Sequence, residues 1–286
     1  MATTQTAGRM QIHAIDGGGG LHLHVREWGN ADGPPILFVH GWSQNHLCWA
    51  PQYESALADE FRLVAYDLRG HGMSAAPTEI EHYTDGRLWA DDVAAILEHL
   101  RLEQPVLVGW SYGAFVICDY IRAHGQEAIA AIEFVAGTVK LNEAAFGTFI
   151  GPGFLTHFAD ATSDDLPTNI QAMRSFVRTC LVKPVSADEF ETALLWNITV
   201  PARVRAALAA REIDDDDVLR ALEVPLLVTH GRADTVVLPA MAEHILTVCP
   251  TAKVSWYDGV GHAPHLEESA RFNRELAELT REVAKR

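Results

Sequence analysis

Val106-Leu107-Val108-Gly109-Trp110-Ser111-Tyr112-Gly113-Ala114-Phe115 carries more structural information than any other ten residues of this chain. Three apolar, β-prone residues run into a Gly-x-Ser-x-Gly pentapeptide, and a helical pattern, Phe115-Ile117-Tyr120-Ile121, leaves it. A serine in a tight strand-to-helix turn needs small neighbours, because the strained backbone leaves no room for Cβ atoms on its flanks. Such a turn lifts the hydroxyl out of the sheet and sets it at a helix N-terminus, where amide N–H groups stabilise negative charge. An inert glycine-flanked turn could carry the same five letters, so the surroundings decide.

Two further strand ends carry the partners such a serine needs. Gly231-Arg232-Ala233-Asp234 follows the apolar run 226–229, and Gly259-Val260-Gly261-His262 follows the run 253–257. In a parallel sheet these ends open on one edge, so Ser111, Asp234 and His262 can converge there. A serine hydroxyl is a poor nucleophile and needs a general base, the role open to His262. Asp234 would orient the imidazole and stabilise its charged form. Singly, a loop aspartate is usually solvated and a lone histidine structural; the order and placement of all three argue against both. A fourth element, Ile36-Leu37-Phe38-Val39-His40-Gly41-Trp42, ends in a sharp turn. It makes the backbone N–H groups of Trp42 and Tyr112 the candidate pair for an oxyanion hole.

The rest of the chain fits an α/β layout. Apolar runs at 36–39, 63–66, 106–108, 129–135 and 226–229 alternate with helical stretches such as Trp89-Val93-Ile96-Leu97-Leu100. Runs apolar on both faces indicate a mostly parallel sheet covered on both sides by helices. Residues 13–16 and 21–25 read as a hairpin around the glycine run 17–20, which no helix follows and which is therefore a turn, not a dinucleotide loop. Residues 264–286 read as one amphipathic helix. Residues 138–217 break the alternation: no strand is evident, and Pro152, Pro167, Pro184 and Pro201 punctuate helical pieces rich in Phe, Ala and Leu. The expected organisation is a core of residues 1–137 and 218–286, with residues 138–217 a helical cap, or lid, inserted between two strands at the ligand-binding edge.

Composition limits the partners. The 286 residues hold 38 Asp and Glu against 22 Lys and Arg, a net charge of −16, which repels phosphate backbones and anionic lipid. No apolar stretch approaches the ~20 residues that span a bilayer, and the polar, Thr-rich start at 1–10 has no secretory h-region. Cys48, Cys118, Cys180 and Cys249 lie far apart, as free thiols in a reducing compartment would, with Cys118 expected in the core. A cytoplasmic protein without nucleic-acid or membrane partners is expected, with a homo-oligomer left open. The pairs His22/His24 and His262/His265 lack a third metal ligand in sequence and read as surface or packing histidines. Asp214 to Asp217 reads as a helix start favoured by the dipole.

With these motifs in hand, the chain resembles an α/β-hydrolase-fold protein over essentially its whole length. His40-Gly41, Asp67-Leu68-Arg69-Gly70-His71-Gly72-Met73-Ser74, Gly109 to Gly113, Asp234 and Gly261-His262 all match that pattern. Among subfamilies it is similar to cofactor-free bacterial esterases of the non-haem chloroperoxidase-like group. Ser111 stands where epoxide hydrolases and haloalkane dehalogenases carry aspartate, and the glycine-rich segment of carbon–carbon bond hydrolases is absent after His40. Ser43 follows the oxyanion aromatic where many chloroperoxidase-like members carry proline. The resemblance implies the same roles for Ser111, His262 and Asp234 as the residues themselves suggest.

The function expected is a serine carboxylesterase acting on small to medium uncharged esters through an acyl-enzyme, with no metal or organic cofactor. Trp42, Trp110, Tyr112, Phe149, Phe154 and Phe158 are expected to line its apolar substrate pocket. The alternatives are a cofactor-independent oxygenase or perhydrolase on the same residues, or a ligand receptor with residual hydrolysis.

Overall fold

A computed structural model describes residues 10–285; the Thr-rich start at 1–9 and Arg286 lie outside it. Ten strands are present among these residues: β1 (Gln11–Asp16), β2 (His22–Gly29), β3 (Pro35–Val39), β4 (Arg62–Tyr66), β5 (Val106–Trp110), β6 (Ala131–Val135), β7 (Lys140–Leu141), β8 (Ile213–Asp214), β9 (Leu226–Gly231) and β10 (Lys253–Tyr257). Eight of them form one sheet in the order β1-β2-β4-β3-β5-β6-β9-β10, and β7 pairs with β8 apart from it. β2 runs antiparallel to β1 and β4, and every other neighbour in the large sheet is parallel.

The alternation of side chains along these strands feeds two cores. Leu37, Val39, Leu107, Ile132 and Phe134 face one layer, against Val93 and Ile96 of the helix Gly86–Leu100 and Phe115 and Ile117 of Gly113–His124. Ile36, Phe38, Val106, Val108 and Val135 face the other, against Trp49 and against Phe272 and Leu276 of the helix Ser269–Val283. These strands are buried on both faces, as their continuous apolar runs require. The parallel register pairs Val39 with Gly109, Trp110 with Val135, Val135 with Thr229, and Gly231 with Tyr257. The loops after β3, β5, β9 and β10 consequently emerge side by side.

The glycine run behaves as a turn, with Gly19 and Gly20 at φ 68° and 72°. It also packs tightly: a Cβ on Gly17 would stand 2.2 Å from Asp92 Oδ1. Asp92 accepts from the Gly18 N–H and forms a fully buried ion pair with Arg69, which ties the hairpin to the 67–74 loop.

Two expectations need correction. Residues 138–217 do contain strand, since β7 and β8 form a two-residue antiparallel pair where this segment leaves and rejoins the sheet. So short a pair has no periodicity to read, and Lys140 clamps it by ion pairs to Asp214 and Asp216. Between them lie the helices Pro152–Ala161, Leu166–Thr179, Ala187–Ile198 and Ala202–Ala209. The C-terminal helix, expected to be continuous, breaks at Glu268 (φ −133°, ψ 48°) into Pro264–Glu267 and Ser269–Val283. The break lets the Glu267 carboxylate accept three backbone N–H bonds, from Gly261, Val182 and Lys183, which offset the lost helical bonds. Asp216 and Asp217 do open a helix, Asp216–Arg220. The acidic run is also ion-paired to Lys140, Arg122 and Arg220.

Candidate active site

Ser111 follows β5 and adopts φ 54°, a left-handed conformation that costs a non-glycine residue about 1 kcal/mol or more. The flanking glycines permit it. A Cβ on Gly109 would lie 2.7 Å from Ile117 Cδ1, and one on Gly113 would lie 2.3 Å from the Val39 carbonyl oxygen. The turn is pinned by the Ser111 N–H donating to Val135 O at 3.0 Å and by Thr138 N–H donating to Ser111 O at 3.3 Å. Gly41 meets the same turn from the β3 side, where a Cβ would stand 3.1 Å from Ser111 Cβ.

Asp234 and His262 meet as the sequence suggests. His262 Nδ1 donates to Asp234 Oδ2 at 2.8 Å, and both side chains are buried. The other carboxylate oxygen accepts the Val236 and Val237 N–H groups at 2.8 and 3.1 Å, so Asp234 is fully engaged and fixed in orientation. The His262 backbone is held too: its N–H donates to Cys180 O, and its carbonyl accepts the Trp110 indole N–H at 2.8 Å. Trp110 therefore links the serine strand directly to the histidine loop. Asp258, the nearest alternative carboxylate in sequence, is 88% exposed and pairs with Arg232.

The loop after β3 is built on two buried neutral histidines. His40 Nδ1 donates to Gly41 O and its Nε2 accepts from Leu68 N–H, and burial pushes its pKa down to about 3. His71 Nδ1 donates to Arg69 O and its Nε2 accepts the Ser43 N–H at 3.2 Å; burial pushes it down to about 4. Ser43 itself has φ 61°. A proline here would need φ near −65° and would lose that N–H bond, so the serine is matched to this loop conformation. The Trp42 and Tyr112 N–H groups donate to no other group among the described residues.

Ser111, His262, Trp42, Trp110, Tyr112 and Phe154 line one cavity, completed largely by apolar residues that include Phe115, Ile150, Phe176 and Val237. No Asp, Glu, Lys or Arg among the described residues lines it. Two expected wall residues stand elsewhere. Phe158 lies behind Phe154, their rings 5.3 Å apart, and Phe149 packs on His244 at 5.1 Å. Positions 154 and 158 share a helix face, but only the residue nearer the sheet reaches the cavity. Phe176, Gln44 and Thr138 line the cavity without having been expected to. Val236 and Val237 line it as well, and their place two and three residues after Asp234 was the available signal.

His24, His46 and Asp67 bring potential metal-ligand atoms within 4.8 Å of one another. His22 is not part of this group, and it lies 3.8 Å from Asp16 instead. The Asp67 carboxylate already accepts from His46 Nδ1 at 2.6 Å and from the His46 and Met73 N–H groups, which makes it a loop clamp rather than an open ligand. His265 is buried against Trp49, Trp110 and Phe272 and packs as a core ring.

A serine in a strained turn, an oriented His–Asp pair and two undirected amides around an apolar cavity can together support nucleophilic attack on a neutral carbonyl. The chain is similar to known proteins along most of its length. The chain is 28% identical over 276 residues to the bifunctional esterase/perhydrolase of Acinetobacter calcoaceticus, covering 92% of this chain and 97% of that one. It is 27% identical over 267 residues to the non-heme haloperoxidase of Rhodococcus erythropolis, covering 90% and 95%. The crystal structure of an esterase from Rhodococcus sp. ECU1013 superimposes with a TM-score of 0.90 at 34% identity, covering 95% of this chain and 99% of that one. Residues 36–275 match the alpha/beta hydrolase family, and the chain belongs to that family, among relatives of the chloroperoxidase-like esterases.

Proposed function

We propose that the protein is a serine carboxylesterase that cleaves small to medium uncharged carboxylic esters through an acyl-enzyme. The observation that carries this reading is the buried His262–Asp234 pair, at 2.8 Å, on the wall of the cavity that also holds Ser111. In it, His262 Nε2 takes the hydroxyl proton as Ser111 Oγ attacks the ester carbonyl. The Trp42 and Tyr112 amides hold the oxyanion of the tetrahedral intermediate, and His262 returns the proton to the departing alcohol. Water, activated by the same imidazole, then releases the acid. Asp234 keeps Nδ1 protonated throughout, which leaves Nε2 free to accept. The apolar wall and the lack of charged lining favour an uncharged acyl group. Residues 138–217 act as a cap, supplying Leu141, Ile150, Phe154 and Phe176 to that wall.

The bifunctional relative's name supports perhydrolysis as the second reading, in which hydrogen peroxide replaces water at the acyl-enzyme. A fluorophosphonate label mapped by peptide mass spectrometry, followed by p-nitrophenyl esters of increasing chain length, tests the proposal. Labelling at Ser111 with turnover of short or medium esters is expected. A folded chain that takes no label at Ser111, or that consumes oxygen without ester turnover, overturns it.

A further inference from the structure

Arg205 lies in the helix Ala202–Ala209, is 1% exposed, and has no carboxylate partner among the described residues. Its Nη1 donates to the Asn197 carbonyl at 3.1 Å and its Nη2 to Asn169 Oδ1 at 2.6 Å, while Nε finds no acceptor. Desolvation pulls its pKa down to about 10, so the guanidinium remains charged at neutral pH. A buried cation without a counter-charge costs stability. Simple cohesion among the helices of residues 152–209 would be served better by an apolar side chain.

The contacts of this arginine converge on the loop that follows β3. The Asn197 carbonyl that accepts from Arg205 also accepts the Ser43 hydroxyl at 3.0 Å. Arg205's own carbonyl accepts the Trp42 indole N–H at 3.0 Å. Gln44, the next residue, exchanges bonds with Asn197: its Nε2 donates to Asn197 Oδ1 at 3.1 Å, and its Oε1 accepts from Asn197 Nδ2 at 3.3 Å and from Trp196 Nε1 at 2.8 Å. Trp42, Ser43 and Gln44 are thus each tied to the helices Ala187–Ile198 and Ala202–Ala209. Ser43 needs such ties, because its φ of 61° is not a conformation it would hold unaided.

We infer that Arg205 is a positioning residue for the oxyanion hole, holding the Trp42 amide in place through Asn197 and Ser43. The inference rests on the esterase reading. A preorganised donor contributes most in the transition state, so its displacement lowers kcat more than it raises KM. Losing an oxyanion donor outright costs ~100- to 1,000-fold in kcat, so misplacing one should cost about 10- to 100-fold.

The experiment compares the parent with Arg205→Met, Arg205→Lys and Arg203→Met on a short p-nitrophenyl ester. The rate of Ser111 phosphonylation by a fluorophosphonate is measured on each. Arg203 lies on the same helix and donates to Ala76 O, but has no link to the 42–44 loop, so Arg203→Met should keep parental kcat. Arg205→Met should lose about 10-fold or more in kcat and in phosphonylation rate, with KM within roughly twofold and a melting temperature at or above the parent's. Arg205→Lys, which keeps the charge, should recover part of kcat. A folded Arg205→Met with parental kcat overturns the inference and leaves the esterase reading intact. A parent that neither labels at Ser111 nor turns over esters overturns both. If Arg205→Met does not fold, Ser43→Ala, which removes only the hydroxyl bond to Asn197, takes its place: a severalfold loss in kcat at constant KM supports the inference, and parental kcat overturns it.

Discussion

The sheet and the helical segment of residues 138–217 are built on opposite plans. In the sheet, β3, β4, β5 and β6 bury nearly every side chain, and the loops at their ends take their shape from close backbone contacts at Gly41, Gly109 and Gly113. In the helical segment, Pro152–Ala161 buries only Gly153 and Ala161, and Ala187–Ile198 only Leu194 and Asn197. Six of the ten exposed large hydrophobic residues among the described residues lie there, Phe146, Leu155, Leu166, Val182, Val185 and Leu195. The 42–44 loop is attached to it by hydrogen bonds that Trp42, Ser43 and Gln44 donate to the Arg205 carbonyl, the Asn197 carbonyl and Asn197 Oδ1, and by the Trp42 ring packing on Phe154 and Phe176. Apolar burial fixes the groups proposed to react, and these links join them to the wall proposed to meet the substrate. Chemistry should therefore be sensitive to the sheet edge and selectivity to the helices.

The largest effects are expected on the sheet side. Ser111→Ala should cut ester kcat by more than about 1,000-fold while the protein melts as before, because only the oxyanion contribution survives. Asp234→Asn should approach 10,000-fold loss, since the wrong imidazole tautomer is then favoured. Asp258→Asn, at the exposed carboxylate, should stay within roughly twofold of parental kcat. If Asp258→Asn is inactive while Asp234→Asn is active, the role given to Asp234 is wrong.

Ser43 is where the two plans meet. Ser43→Pro forces φ away from 61° and removes the N–H donated to His71, so it should destabilise the fold by about 3 kcal/mol or more. Ser43→Ala keeps the backbone and should remain folded. Urea midpoints of the two variants decide this, and a Ser43→Pro protein as stable as Ser43→Ala would show the loop to be pliable.

The interior of the sheet offers a smaller, pH-dependent effect. Glu133 on β6 is fully buried and, among the described residues, accepts only from Thr229, and burial raises its pKa to about 8. The unfolded chain releases this proton near pH 4.5, whereas the folded chain keeps it, so stability falls as pH rises from about 4.5 to about 8. Glu133→Gln has no proton to keep. Its stability should fall less across that window, with an advantage of up to about 3 kcal/mol at pH 7. Urea unfolding at pH 5, 6, 7 and 8 measures it, and parallel curves for the two proteins would count against the assignment.

These contrasts explain what could be read from the chain. The strands were legible because Leu37, Val39, Ile36 and Phe38 serve two cores through an alternation that lies within four residues. Ser111 was legible because the two glycines its turn requires, Gly109 and Gly113, stand within the same five residues, although the contact that demands Gly113 comes from the Val39 carbonyl of β3. The β7–β8 pair was too short to leave a pattern, and the Glu268 break depends on amides of Val182 and Lys183, far away in sequence. Asn197 and Arg205 lie in helices where a polar residue ordinarily faces water. Their partners, Ser43, Gln44 and Trp42, lie some 150 residues earlier, so no local pattern could mark them as buried.

The smallest expected effect tests the helical side directly. Phe154 lines the cavity and meets Trp42 edge-on at 5.2 Å, whereas Phe158 stands behind it, 6.4 Å from Trp42, and Phe149 faces His244. Phe154→Ala should open the wall and move the preferred ester toward longer acyl chains, by about 1–3 kcal/mol in relative barrier per methylene newly accommodated. The Trp42 indole keeps its bond to the Arg205 carbonyl and the Trp42 amide is untouched, so kcat on the best substrate should persist. Phe158→Ala should move the preference less, because Phe154 still closes the wall, and Phe149→Ala should leave it where it was. Ranking kcat/KM across p-nitrophenyl esters for the three variants separates a wall from a scaffold. An equal shift in all three would mean that the helices respond as one body, and a uniform loss at every chain length in a folded Phe154→Ala would mean that this ring supports the chemistry and not the selection of substrate.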